Sequence, residues 1–95
     1  MYGLSVEELN KIVETLRSAH VKKAVLFGSR AKGTHKHGSD VDIAVIGDEK
    51  RVSYTLNEET NLPYFFDVIN MEEIVSQNLR EHIQRVGKVI AEKGV

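Results

Sequence analysis

The stretch VLFGSRAKGTHKHGSDVDIAV, residues 25–45, decides the fold of this chain. It contains an apolar run that ends at Gly28 and Ser29, a basic loop, and a second apolar run that opens with Asp40 and Asp42. Side chains two apart on a strand point to the same face of a sheet, so these two carboxylates face one way. Two carboxylates on one face repel each other unless a cation or a proton lies between them. Because Mg²⁺ is commonly shared between carboxylates and substrate phosphates, the stretch predicts a metal–phosphate site.

Length and composition predict a single globular domain over residues 1–95. A chain of this size can bury one modest core and is too short for two. It has no cysteine, which excludes disulfides, thiolate zinc sites and a cysteine nucleophile. The N-terminal segment lacks the pattern of a signal peptide, and no apolar run has the roughly 20 residues that cross a bilayer. We therefore expect a cytoplasmic protein with no membrane partner.

The charge distribution supports a phosphate ligand locally. The net charge of −1 makes no general case for nucleic acid, so direct nucleic-acid binding is left open. From Thr15 to Ser39 the chain has no acidic residue, and this interval contains six basic ones: Arg17, Lys22, Lys23, Arg30, Lys32 and Lys36. A positive field next to the paired aspartates suits a polyphosphate.

Hydrophobic periodicity and turn signals predict three strands and several helices. In chain order we expect a helix over about residues 5–19, a strand at 24–27, a helical turn from Ser29 to Gly33, a strand at 41–45, a helix over 49–60, a strand at 64–69, and a helix capped by Asn70 that runs to Gly87. The segment Val89-Ile90 either extends the last helix or forms a short strand. Phe27, Phe65 and Phe66 are expected in the core, and His20 and His82 on helix surfaces.

These elements predict an α/β (mixed α+β) two-layer sandwich. If Ser29 and Asp40 serve one site, the first two strands must be adjacent and antiparallel. The connection to the third strand is long enough for a parallel crossover. The expected fold is a small mixed sheet of about three strands with packed helices.

Asp67 adds a third carboxylate to the predicted site. It lies inside an apolar strand, where an unpaired buried charge is costly, so it needs a partner. Placing that strand beside the second one brings Asp67 against Asp40 and Asp42. Three converging carboxylates call for about two divalent ions, which clamp the attacking and leaving oxygens of an in-line displacement.

The residues before the loop supply phosphate contacts. Gly28 allows close approach of the backbone, and a helix N-terminus offers free N–H groups. The hydroxyl of Ser29 adds a hydrogen bond, and Arg30 and Lys32 neutralise charge on a leaving pyrophosphate. His35 and His37 form a His-x-His pair without a third nitrogen or sulfur ligand, which favours a loop rather than a transition-metal site.

The pattern resembles the minimal nucleotidyltransferase branch of the DNA polymerase β superfamily: Gly28-Ser29, ten residues, Asp40-Val41-Asp42, and a strand aspartate at Asp67. The resemblance implies a polymerase β-like palm fold and NMP transfer from an NTP, in particular AMP from ATP, to a hydroxyl. It implies that Asp40, Asp42 and Asp67 are catalytic and bind two Mg²⁺ ions, which Mn²⁺ can replace. It also implies that Gly28 and Ser29, helped by Arg30, hold the triphosphate.

The same resemblance implies a protein partner. Members of this branch are often encoded with a HEPN-domain protein, and some are antitoxins that transfer AMP to a tyrosine of that partner. A homo-oligomer is a further expectation. The alternative function is a non-catalytic nucleotide- or partner-binding module that acts as an antitoxin by occupation. Modification of an aminoglycoside is disfavoured because no acidic lobe is evident, and a P-loop is excluded because its motif does not occur. The base preference and the acceptor stay open.

Overall fold

The structure, a computed structural model, describes residues 1–93. Its elements in chain order are α1 (Val6–Ser18), β1 (Lys23–Phe27), α2 (Gly28–Lys32), β2 (Val41–Ile46), α3 (Glu49–Tyr54) continued by a π-helical turn (Thr55–Glu59), β3 (Phe66–Asn70), a 3₁₀ turn (Met71–Glu73), α4 (Gln77–Val86) and β4 (Lys88–Glu92). The residues left open by the sequence, 87–95, thus contain a strand, and the last two of them lie outside the described residues. Within residues 1–93, no helix is both long and apolar enough to cross a membrane.

The four strands form one mixed sheet in the order β3-β2-β1-β4. The pair β1–β2 is antiparallel and the pair β2–β3 is parallel, which confirms both predicted pairings. The prediction of about three strands was one short. After α4 the chain returns along the free edge of β1 and pairs with it in antiparallel fashion, with Leu26 opposite Lys88.

The first helix forms for the reason that the sequence indicated. Ser5 accepts a hydrogen bond from the backbone of Glu8, and the Glu8 side chain accepts one from the backbone of Ser5, which completes a capping box. The helix buries Ile12 and Leu16 completely. These side chains anchor α1 on the sheet.

The predicted start of the last helix was wrong. Asn70 does cap, but it accepts a hydrogen bond from Glu72 and caps only the short 3₁₀ turn. Backbone at Ile74 is extended, and α4 begins after Ser76, whose hydroxyl accepts a bond from the N–H of Leu79. A second Asx/Ser cap six residues later therefore decides where the helix starts.

Helices cover both faces of the sheet, so the prediction of two layers is corrected. One face packs α1, α3 and the π-helical turn against a large core, which includes Leu26, Val41, Ile43, Val45, Leu56 and Phe66. The other face has a smaller cluster under α4, formed by Val25, Phe27, Ala44, Ile74 and Ile83. Phe65 does not join either core, because it precedes β3 and is 60% exposed; the prediction for this residue was wrong.

Candidate active site

Asp42 and Asp67 lie side by side on neighbouring parallel strands. In the β2–β3 register, Asp42 is the direct partner of Asp67, and on its other side Asp42 is opposite Phe27 at the end of β1. Paired residues of neighbouring strands point to the same face of a sheet. Asp40 lies two residues before Asp42, just ahead of β2, and is exposed, as is Asp67. The strands thus place Asp42 and Asp67 side by side, as the sequence predicted, with Asp40 in the loop that leads into β2.

The electrostatics of Asp42 reflect this crowding. Burial raises the pKa of the Asp42 carboxyl above its usual value, and the negative charges of Asp67 and Asp40 raise this pKa further. The positive charge of Arg30 offsets part of the effect by lowering the pKa. A cation placed beside Asp42 would favour its charged form and oppose this rise in pKa.

Gly28 leaves room for the Asp42 carboxylate. Its φ of +74° is in the left-handed region, and a β-carbon added to it would overlap the Oδ2 atom of Asp42. Any larger residue would therefore displace the carboxylate, apart from the backbone strain of its conformation. The glycine of the Gly-Ser turn thus shapes the acidic site itself.

The carboxylates of Asp40, Asp42 and Asp67 are suitable ligands for a hard divalent cation, although they are not close enough together to form a complete coordination site. Within residues 1–93 no three acidic or histidine side chains are placed closely enough to form a ready cation site. The chemistry of the set nevertheless matches Mg²⁺, because it consists of carboxylate oxygens: burial raises the pKa of Asp42, and the neighbouring carboxylates of Asp67 and Asp40 raise it further. A bound cation would relieve the repulsion between these carboxylates.

Asn57 fixes the backbone immediately before Asp67. Its side-chain amide donates to the carbonyl of Phe66 at 2.9 Å and accepts from the N–H of Phe66 at 2.8 Å. Asn57 lies in the π-helical turn, and both bonds are made to the first residue of β3. The sequence reasoning missed this residue. The only sequence signal was a polar side chain near the end of an otherwise amphipathic segment.

Arg30 is placed differently from the prediction. It is only 3% exposed, and its guanidinium donates to the carbonyls of Ser39 (2.8 and 3.1 Å) and Tyr2 (2.9 Å). It also lies over the ring of Tyr64, 4.7 Å from the centroid. These contacts hold the loop one residue ahead of Asp40, so Arg30 supports the site from within; its predicted contact with a phosphate stays a prediction.

The remaining predicted phosphate ligands lie on α2. Ser29 is half-buried in the first turn of this helix, and Lys32 is exposed in its last turn. Gly33 ends the helix with a φ of +79°, as the sequence predicted. The N–H of Gly28 is already used, because it donates to Nε2 of His82 at 3.1 Å. His82 was expected on a helix surface and is instead half-buried against the Gly-Ser turn, with no motif to signal it.

Comparison with known proteins gives a consistent result. A family model described as "Polymerase beta, Nucleotidyltransferase" matches residues 10–94. The probable protein adenylyltransferase MntA of Haemophilus influenzae is 36% identical over 74 residues, which are 70% of this chain and 63% of that protein. The chain thus spans less than two thirds of the length of this relative.

Solved structures share the fold. A toxin–antitoxin structure with AMP-PNP superposes with a TM-score of 0.73 at 25% identity, covering 90% of this chain and 74% of the other. The structure of a tri-AMPylated Shewanella oneidensis HEPN toxin in complex with an MNT antitoxin gives a TM-score of 0.65 at 22% identity, covering 90% and 70%. The second likeness concerns the fold alone.

Proposed function

Because the chain belongs to the polymerase beta nucleotidyltransferase family, we propose that it transfers AMP from ATP to a hydroxyl group of a partner protein. The observation that carries this proposal is the pairing of Asp42 with Asp67 beside Gly28, whose lack of a side chain leaves room for the Asp42 carboxylate. It is supported by the similarity to a probable protein adenylyltransferase and to a toxin–antitoxin structure that holds AMP-PNP.

The three aspartates are the residues that would hold divalent cations. Asp40, Asp42 and Asp67 would bind two Mg²⁺ ions, with Mn²⁺ as a substitute. The cations would supply charge neutralisation at the α-phosphate and at the leaving pyrophosphate. The raised pKa of Asp42 is consistent with this role, since it reflects the burial of this carboxyl and, after that, the negative charges of Asp67 and Asp40, which the charge of Arg30 offsets only in part.

The reaction is an in-line displacement at the α-phosphorus of ATP. The acceptor oxygen forms a bond to this phosphorus, the bond to the bridging oxygen breaks, and pyrophosphate leaves. Asp67, exposed at the edge strand, orients the acceptor hydroxyl and takes its proton. Ser29 and Lys32 bind the triphosphate from α2, while Gly28 leaves space for Asp42 and Arg30 holds the loop that carries Asp40.

We propose that the acceptor is a tyrosine of a HEPN-domain protein and that the chain acts in the cytoplasm, where ATP and Mg²⁺ are available. The fold is shared with an antitoxin bound to an AMPylated HEPN toxin. The exposed position of Asp67 supports a protein acceptor, because a tyrosine on another chain can reach an open carboxylate.

The test is transfer of label from ATP to the partner. The purified chain is incubated with Mg²⁺ and a HEPN-domain protein from the same organism, in parallel with α-³²P-ATP and γ-³²P-ATP. We expect label on the partner from α-³²P-ATP alone, because AMP transfer releases the γ-phosphate in pyrophosphate. Asp42→Asn should reduce labelling at least about 100-fold, since it removes a carboxylate from the cation site.

Glu14→Gln is the matched control, because it neutralises an exposed carboxylate on α1 and should label like the wild type. Label from γ-³²P-ATP, or undiminished labelling by Asp42→Asn, would contradict the proposal. Neutralisation of the toxin by both the wild type and Asp42→Asn, without label on the toxin, would instead support a binding module that acts by occupation.

A further inference from the structure

His82 makes a contact with the Gly-Ser turn that the proposed chemistry does not account for. It lies on α4, far along the chain from the motif, and its Nε2 atom accepts the N–H of Gly28 at 3.1 Å. Its ring also meets that of Phe27 edge-on, with centroids 6.2 Å apart and planes at 82°. Two consecutive residues at the junction of β1 and α2 are thus held by one side chain.

The hydrogen bond has a defined chemical form. Nε2 can accept only when the imidazole is neutral and its proton is on Nδ1. The helix α2 begins at Gly28 and has no side-chain cap from the preceding residue, Phe27. His82 therefore satisfies an N–H that the local sequence leaves without a partner.

The position of Gly28 matters for the acidic site. This residue lies directly against the carboxylate of Asp42, where even a β-carbon would not fit. A bond that fixes the amide of Gly28 therefore fixes both the room available to Asp42 and the direction in which Ser29 leaves the turn. Since the Gly28 amide is occupied, contacts to a triphosphate fall to Ser29 and the residues after it.

We propose that His82 is a positioning residue for nucleotide binding: through the amide of Gly28 it holds the Gly28–Ser29 turn in the orientation that receives the triphosphate beside Asp42. This role rests on the proposed function, because it assumes that ATP binds at this turn. His82 itself touches neither the phosphates nor the acceptor.

Two substitutions separate the hydrogen bond from the ring contact. His82→Gln places an amide oxygen near the position of Nε2 and keeps an acceptor, but loses the ring. His82→Phe keeps a ring against Phe27 and loses the acceptor, and His82→Leu is a second variant without an acceptor in case the first does not fold. Each is compared with the wild type by titration with Mg²⁺ and AMP-PNP and by the ¹H–¹⁵N resonance of Gly28.

We expect His82→Phe and His82→Leu to raise the Kd for AMP-PNP about 3- to 10-fold, the effect of one lost hydrogen bond, and to shift the Gly28 amide resonance upfield. His82→Gln should stay within about twofold of the wild type and keep the resonance near its original position. Normal binding by His82→Phe, or weaker binding by His82→Gln than by His82→Phe, would overturn the positioning role and leave the proposed function intact. Failure of the wild type to bind AMP-PNP would overturn both, whatever the Gly28 resonance shows.

Discussion

The two faces of the sheet differ in what they bury. On one face Ile43 and Val45 are 0% exposed and lie in the large core under α1 and α3. On the other face the same strand presents Asp42 and then Ala44, and α4 packs over a smaller apolar cluster that includes Ala44. Because side chains alternate between the two faces of a strand, β2 can contribute core residues on one face and candidate catalytic residues on the other. The acidic residues therefore lie on a strand whose opposite face is fully packed in the large core.

Truncation of one core residue on each face is expected to give the largest effect, and it tests whether the two faces contribute unequally to stability. Ile43→Ala should lower the free energy of unfolding by about 3–5 kcal/mol, because Ile43 is fully buried in the large core. Ile83→Ala, at 8% exposure in the smaller cluster, should lower it by about 2 kcal/mol. Urea denaturation at pH 7 measures both. Equal losses, or a larger loss for Ile83→Ala, would show that the faces do not differ in this way.

Arg30 ties the N-terminal segment to the loop before Asp40, and its replacement gives the next largest effect. Arg30→Lys should lower the free energy of unfolding by about 1–3 kcal/mol, because an ammonium group cannot bond the carbonyls of Tyr2 and Ser39 as a planar fork does. The control is Lys32→Ala on the same helix, which is exposed and should change stability by less than about 0.5 kcal/mol. Urea denaturation and amide exchange in the loop 33–39 measure the change. Unaltered exchange in Arg30→Lys would show that the arginine does not hold this loop.

Removal of the Asp42 charge should raise the free energy of unfolding, whereas the preceding substitutions lower it. This effect should be the smallest of the three. The folded-state pKa of Asp42 is raised above the ordinary 3.8, so between that value and the raised one the folded state binds more protons than the unfolded state. Its contribution to stability is present below pH 3.8 and is lost as pH rises through the raised pKa. Asp42→Asn should therefore gain stability relative to the metal-free wild type as pH increases through this window.

Chemical denaturation from pH 3 to pH 8, without divalent cations, measures that difference. Addition of Mg²⁺ at pH 7 should stabilise the wild type and leave Asp42→Asn unchanged, by the linkage of binding to folding. If the difference in free energy of unfolding between the wild type and Asp42→Asn did not change with pH, the charge of Asp42 would not be what destabilises the folded state.

The sequence predicted the features that depend on short-range pattern. The capping box at Ser5, the strands on either side of the motif loop and the pairing of Asp42 with Asp67 follow from periodicity and connection length. The interaction of His82 with Gly28 did not follow, because no local pattern indicates which distant histidine will face an uncapped helix start. The burial of Arg30 was not predicted for a related reason: its charge is visible in the sequence, but its burial depends on the carbonyls of Tyr2 and Ser39.

Strand β4 was left open for a different reason. Lys88–Glu92 is short and polar at both ends, with Val89 exposed and Ala91 buried, so its own pattern does not separate a strand from a helix end. Pairing with β1 decides its conformation. The π-helical turn after α3 was likewise hidden in a segment that reads as continuous helix.

The amide of Asn57 has a consequence for association between copies of the chain. β3 is an outer strand of the sheet, and the backbone N–H and carbonyl of Phe66 would otherwise be free to recruit a strand from another molecule. The asparagine occupies both groups as an adjoining strand would. It therefore blocks strand pairing at this position of the edge, and Asn57→Ala would leave both backbone groups of Phe66 open to a strand of another molecule, next to the exposed ring of Phe65.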